Sequence, residues 1–386
     1  MPVSIKTVEA GPICFIIKWA DGTLNKFPYI FLRDNCPCCR HANGQKLIET
    51  STISLFVNPK SYIVDQESQA VVVIWEPDGH ISEYSFDWLY THSLHGNDIA
   101  ARCTAKNNEN KIVLWGGQLN NSLPAYDYQV IKNNNAALAE WLTWIKQYGF
   151  GILNNVPAQP GMVLQVASLF GYVRETNYGK LFDVKTVINP NNLAYTGLGI
   201  SPHTDNPYRQ PVPTLQLLHC LSSTTDGGDS ILVDGFKVAD DLRRQYPNYF
   251  SILNSTTVTF NFRDENNWLE RQARIIETDN QGRLQAINFN NRSIQPFEVR
   301  DDNMLDFYEA YLTFARMLED GQYQIQFKMQ AGDLYIVNNL RVLHARKAYT
   351  NSSGERWLQG AYADIDGLLS KWRILTATSL QGFESF

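Results

Sequence analysis

The chain has 386 residues, 44% hydrophobic and 12% aromatic, enough for a sizeable core and for two domains. Its formal net charge is −6 and no run of lysine or arginine stands out, which argues against nucleic acid or an anionic membrane surface as partner. The apolar run Ile13–Ile17 is far too short to cross a bilayer, and no secretion signal or transit peptide is evident, so a cytoplasmic protein is expected.

Short β-like runs separated by turns fill the first hundred residues. Pro12 to Trp19 and Tyr29 to Leu32 flank an Ala20-Asp21-Gly22 turn. Cys36-Pro37-Cys38-Cys39 follows and holds three of the six cysteines. Without a secretion signal this cluster reads as metal ligands or as reduced thiols, while Cys14, Cys103 and Cys220 read as scattered buried thiols. Ala70 to Trp75, the turn Pro77-Asp78-Gly79 and His80 to Ser85 predict a hairpin. The Asn- and Gly-rich stretch 107–121 marks a boundary between a β domain over 1–106 and a second domain over 122–386.

Beyond the boundary, Leu138, Trp141, Leu142 and Ile145 recur at helical spacing and Gly149 supplies a stop. A helix over Val238 to Asn254 is interrupted near Pro247. Another begins near Asp301-Asp302 and carries Met304, Phe307, Tyr308, Tyr311, Leu312, Ala315 and Leu318 on one stripe. Between them lie β-like segments at Thr214 to His219, Asp229 to Val233, Thr257 to Phe262, Gln285 to Phe289, Tyr323 to Phe327, Asp333 to Val337 and Arg356 to Ala363. Many short strands with a few packing helices predict a mainly β fold, a two-sheet jelly roll (double-stranded β-helix) whose mouth holds a site.

The chemistry centres on His203-Thr204-Asp205 and the distant His344. Side chains at i and i+2 of an extended segment share a side, so His203 and Asp205 converge while Thr204 turns away. Asp333 to Arg346 reads as extended and half apolar, so it can bring His344 in from a neighbouring strand. Two imidazoles and a carboxylate cap one face of Fe(II) and leave the other open for a cosubstrate and dioxygen. Arg356, Leu358, Gly360 and Tyr362 alternate onto one face, which offers a guanidinium and a phenol to the same cavity. A structural salt bridge is the other reading of Arg356.

The stretches LAYTGLGISPHTDNPY, LQLLHC, GGDSILVDGF, INFNN, NNLRVLHAR and GAYAD resemble the γ-butyrobetaine dioxygenase family of Fe(II)/2-oxoglutarate oxygenases. LRDNCPCC resembles that family's appended zinc-binding domain, so the resemblance covers nearly the whole chain. It implies that His203, Asp205 and His344 are the catalytic iron ligands and that Arg356 binds the distal carboxylate of the cosubstrate 2-oxoglutarate, with ascorbate as reductant. The implied reaction is hydroxylation of a small trimethylammonium compound, first γ-butyrobetaine to L-carnitine. (2-Trimethylamino)ethylphosphonate and then trimethyllysine are the alternatives, and a homodimer is a further analogy.

A quaternary cation cannot donate a hydrogen bond, so aromatic faces must recognise it. The resemblance places Tyr178, Phe182, Tyr195 and Tyr362 in that role, Phe182 standing where the animal members have Trp. For the anionic end of the substrate it points to Asn192, Asn290 and Asn291. Arg292 follows directly where the animal members lack an arginine. Turned inward it suits a phosphonate; otherwise it is a solvated surface residue. For zinc, family members space three cysteines as C-x-C-x-x-C and add a His from a later hairpin. Here the cluster is shorter, and the implied set is Cys36, Cys38, Cys39 and His80, with His41 as a local alternative. Adjacent Cys38 and Cys39 point apart on an extended backbone, so a tight turn is needed for both to bind. A non-catalytic, zinc-stabilised binding module is the alternative from another class, and the intact His203/Asp205/His344 set argues against it.

Overall fold

The computed structural model describes residues 4–93, 111–185, 196–350 and 354–377. They fall into two compact units whose boundary in the sequence lies between Lys111 and Ile112.

The first unit carries two three-stranded antiparallel sheets. Ile5–Ala10, Cys14–Trp19 and Leu24–Pro28 form one, and Asn58–Asp65, Ala70–Glu76 and Ile81–Ser85 the other. Strand alternation sets the core: Phe15, Ile17 and Trp19 pack with Val71, Val73, Trp75 and Tyr84. Tyr29–Asp34, expected as part of a strand, is a helix that buries Tyr29, Leu32 and Arg33. Those positions follow i, i+3, i+4 spacing, which four residues of sequence cannot separate from alternation. The cysteine-bearing segment Pro37–Cys39 is a single 3-10 turn, with Pro at its first position.

In the second unit a larger sheet runs Phe182–Lys185, Arg356–Ala363, Leu215–Ser223, Leu334–Asn338, Phe150–Asn154, Tyr126–Asp127, with Val173–Arg174 paired to Arg356–Ala363. A smaller sheet runs Ile200–His203, Val342–Arg346, Ser230–Asp234, Gln324–Phe327. Phe150, Leu218, Tyr335 and Leu358 from the first meet Leu232, Ile325 and Val342 from the second in one apolar layer. This is the predicted jelly roll, with helices on both outer faces. Asn135–Tyr148 covers the larger sheet, placing Trp141 and Ile145 against Leu215, Leu217 and Ile336. Asn134 caps its start by accepting from two backbone amides, and Gly149 ends it at φ 79°. Gly235–Gln245, Pro247–Ser255 and Met304–Glu319 cover the smaller sheet.

Two expectations are corrected here. Asp333 to Arg346 is two strands in different sheets, Leu334–Asn338 and Val342–Arg346. The chain turns between them because Asn338 accepts with its side chain from Leu340 N and with its carbonyl from Arg341 N. On Met304–Glu319 the buried stripe is Phe307, Ala310, Phe314 and Leu318, while Tyr308 and Leu312 are 42% and 43% exposed. No helix among the described residues is long and apolar enough to cross a membrane.

Candidate active site

Both sheets of the second unit line a cavity of about 470 Å³. His203 ends the strand Ile200–His203 and is the direct register partner of His344 on Val342–Arg346. Their side chains therefore share a face, with ring centroids 4.2 Å apart. Asp205 lies just past the strand end. Its Oδ1 stands 3.4 Å from His203 Nε2 and 3.9 Å from His344 Nε2. One ligand atom from each residue lies within 4.8 Å of the other two.

The surroundings set the charge of this group. Burial pushes the His203 imidazole below its ordinary value and lowers His344 to about 3, with the charges of His203 and Arg292 adding to the effect on His344. Burial alone would raise Asp205. The neighbouring histidines and the Tyr362 hydroxyl outweigh it and hold the carboxyl well below the usual range. His203 Nδ1 is 2.9 Å from the Ser201 carbonyl, and donation there leaves Nε2 as a lone pair. Two neutral imidazoles and a carboxylate thus point acceptors at one another, an arrangement that a divalent cation between them satisfies.

Arg356 is 6% exposed and lines the cavity beside Leu358 and Tyr362 of its own strand. No carboxylate of the described residues lies within ion-pair distance of it; its guanidinium carbon stands 5.5 Å from the centroid of the Tyr349 ring. The salt-bridge reading is thereby left without a partner. Arg346, two residues after His344 and on the same face, also lines the cavity. It donates to the Thr196 and Leu198 carbonyls at 2.7 and 2.6 Å and stacks 4.9 Å over the same Tyr349 ring. Burial and the charge of Arg356 lower its pKa to about 10. The sequence reading missed Arg346, although its position two residues past His344 was the available signal.

Tyr178, Phe182 and Tyr362 line the cavity together, Phe182 standing 6.2 Å from Tyr178 and 5.1 Å from Tyr362 between centroids. Tyr195 and Asn192 lie outside the described residues. Two aromatics that the sequence reading missed complete the wall. Phe262 is 6.0 Å from Tyr178 and stacks on Tyr208 at 5.2 Å. Tyr208 donates to Asn206 Oδ1 at 2.6 Å and shares a 3.2 Å contact between hydroxyls with Tyr178.

Of the expected anion donors, Asn290 is buried and Asn291 exposed. Asn290 lines the cavity, but its Nδ2 donates to the Thr204 carbonyl at 3.1 Å and its Oδ1 accepts from Arg292 N at 3.1 Å. One of its two amide hydrogens thus holds the loop next to Asp205. Asn291 is exposed and does not line the cavity. Arg292 and Arg263 do line it, and both are exposed.

In the first unit, Cys36, Cys38, Cys39 and His80 bring one ligand atom each within 4.8 Å of the others. His80 Nε2 is 3.4 Å from the Cys36 and Cys38 sulfurs and 3.3 Å from that of Cys39. The 3-10 turn supplies the bend that adjacent cysteines need. Arg33 approaches the Cys39 sulfur at 3.6 Å and pairs with Asp78 at 2.8 Å. Burial and Arg33 lower the His80 pKa, which keeps the imidazole neutral and able to ligate. His41 is held in its own turn, accepting from Asn43 N.

Residues 118–362 match the sequence family described as "Taurine catabolism dioxygenase TauD, TfdA family". The two-sheet fold and its cavity are therefore those of a dioxygenase of this class. Residues 12–90 match "Gamma-butyrobetaine hydroxylase-like, N-terminal". The gamma-butyrobetaine dioxygenase of Pseudomonas sp. (strain AK-1) is 35% identical over 367 residues, covering 93% of each chain. The one from Homo sapiens is 33% identical over 397 residues, covering 97% of this chain and 98% of its own. This chain belongs to the gamma-butyrobetaine dioxygenase family. The trimethyllysine dioxygenase of Meyerozyma guilliermondii is 28% identical, covering 93% of this chain and 92% of its own. Among solved structures, an asparagine oxygenase in complex with Fe(II), 2S,3S-3-hydroxyasparagine and succinate is similar at TM-score 0.47 and 14% identity, covering 62% of this chain and 93% of that one.

Proposed function

We propose that this dioxygenase uses Fe(II) and 2-oxoglutarate to hydroxylate a small trimethylammonium substrate, γ-butyrobetaine to L-carnitine. One observation carries the reading: His203 Nε2, Asp205 Oδ1 and His344 Nε2 converge in the same cavity as an aromatic wall and Arg356, which has no carboxylate partner among the described residues. Iron, when bound with 2-oxoglutarate, supplies the activation of dioxygen that an unreactive carbon–hydrogen bond requires.

The chain's own residues bind and orient. Arg356 meets the distal carboxylate of 2-oxoglutarate with a charge-assisted pair, for which no carboxylate of the described residues competes. Tyr178, Phe182 and Tyr362, with Tyr208 and Phe262, present ring faces to the trimethylammonium group, each face contributing about 0.5–2 kcal/mol. Tyr195 and Asn192 keep the substrate-binding roles that the family resemblance implies. The aromatic wall at one end and the anion donors Asn192, Asn290 and Asn291 at the other make a two-point ruler that selects the carbon presented to the metal. Cys36, Cys38, Cys39 and His80 hold a structural zinc in the first unit. Ascorbate as reductant, a cytoplasmic location and a homodimer belong to the same reading and rest on the family.

A second reading is favoured by one placement. Arg292 and Arg263 both line the cavity, in addition to Arg356 and Arg346. That excess of positive charge suits a dianionic head group, as in (2-trimethylamino)ethylphosphonate. The experiment measures succinate release with Fe(II), 2-oxoglutarate and ascorbate, with γ-butyrobetaine, the phosphonate or trimethyllysine added. Strongest stimulation by γ-butyrobetaine is expected. Strongest stimulation by the phosphonate selects the second reading, and no stimulation by any trimethylammonium compound overturns both.

A further inference from the structure

Two cross-strand pairs face one carboxylate. His203 and His344 are register partners in the smaller sheet, and Gln216 and Tyr362 are register partners in the larger. Asp205 stands between them with its oxygens divided. Oδ1 is turned to the two imidazoles, at 3.4 and 3.9 Å. Oδ2 accepts from Gln216 Nε2 at 2.5 Å and from the Tyr362 hydroxyl at 2.8 Å. An oxygen that already accepts two hydrogen bonds has its lone pairs in use and is a poor second ligand to a metal.

We infer that Gln216 and the Tyr362 hydroxyl are positioning residues that hold Asp205 as a one-oxygen ligand. The inference rests on the reading of His203, Asp205 and His344 as the iron site. Three protein atoms leave three of the six positions of an octahedral shell open, whereas a two-oxygen Asp205 leaves only two. The bracket therefore guards the open half of the metal's shell, the half that small molecules must share.

Other contacts fit this role. Gln216 is 2% exposed, and its Oε1 has no hydrogen-bond partner among the described residues, so the carboxylate is the contact that orients its amide. Tyr362 divides its work: the ring packs 5.1 Å from Phe182 in the aromatic wall while the hydroxyl holds Asp205. Asn339, fully buried, pairs with the Asp205 backbone in both directions, accepting from its N at 2.7 Å and donating to its O at 2.9 Å. The same Asn339 amide donates to the Pro213 carbonyl at 2.9 Å. With the main chain clamped in this way, the carboxylate cannot swing to exchange its oxygens without breaking the bracket.

The test uses the full chain and Co(II) as probe, read by titration and by the d–d absorption of the loaded protein. Gln216→Met keeps the side-chain length and removes the donor, and Tyr362→Phe keeps the ring and removes the hydroxyl. Each is expected to weaken Co(II) binding about 10–100-fold and to alter the d–d band intensity as Asp205 adds its second oxygen. The metal-free variants should melt close to the parent. Parent-like affinity and spectrum in either variant overturn the assignment for that residue. Asp205→Ala keeps the two readings apart: if the parent binds no Co(II), or if Asp205→Ala binds as well as the parent, the iron-site reading itself fails.

Discussion

Gly360 shapes the aromatic wall by what it lacks. It is the register partner of Phe182, and a Cβ there would come within 2.3 Å of the Phe182 ring. Gly360→Ala should push that ring away from Tyr362 and weaken binding of a trimethylammonium substrate by about 1–2 kcal/mol, roughly tenfold. Cosubstrate affinity should hold, which parallel titrations of substrate and 2-oxoglutarate will check. Arg356→Ala should do the reverse, weakening 2-oxoglutarate by about 1.5–3 kcal/mol, the worth of a charge-assisted hydrogen bond, with a smaller effect on substrate. An unchanged cosubstrate constant would contradict the role given to Arg356. His203, Asp205, His344 and Arg356 were legible in the sequence because their chemistry depends on residue type at strand spacing. Phe262, Tyr208 and Gln216 were not. Phe262 and Gln216 lie on strands, where an aromatic or amide reads the same whether it faces a core, a cavity or a carboxylate, and Tyr208 lies in a turn whose course alternation does not convey.

The turn between Leu334–Asn338 and Val342–Arg346 shows what an element-level reading misses. Alternation across 333–346 gave the extended backbone but not the change of sheet, which depends on Asn338 and on a buried ion pair far apart in sequence. Arg341, 2% exposed, meets Asp234 through Nε at 2.9 Å and through a terminal nitrogen at 2.8 Å. It also donates to the Gln147 and Val113 carbonyls, at 2.7 and 2.6 Å. Asp234 in turn accepts from the backbone of Trp115 and Phe236. Arg341→Met leaves a carboxylate buried without its cation and should cost about 3–5 kcal/mol in urea unfolding. Asp234→Asn added to it should recover part of that loss. In the first unit the cysteine cluster was legible as a metal-binding composition, while the 3-10 turn that lets Cys38 and Cys39 converge depends on local geometry that residue spacing does not convey.

At the scale of the whole molecule, the many short strands and the covering helices announced a jelly roll. The order of strands in each sheet was not readable, because period-two alternation tells which face is buried and not which strand is the neighbour. Burial also ties stability to acidity. His219 is fully buried, and desolvation lowers its pKa from 6.5 to about 4. Between those values the unfolded chain binds a proton that the folded chain refuses, so stability should fall as pH drops from about 6.5 towards about 4. The His219 contribution amounts to at most about 3 kcal/mol. Urea unfolding of the metal-free protein at neutral and acidic pH will check it: His219→Leu should flatten the dependence relative to the parent, since His203 and His344 are common to both. An equal slope in the two proteins would contradict the account.

The central claim is that the cavity recognises a quaternary cation by its charge and hydroxylates it. The most direct measurement compares turnover of γ-butyrobetaine with that of its uncharged tert-butyl isostere, which has the same shape and apolar area. The aromatic wall predicts a preference for the cation of about tenfold or more in kcat/KM, from ring faces that each supply about 0.5–2 kcal/mol. Equal turnover of the cation and the isostere would contradict it.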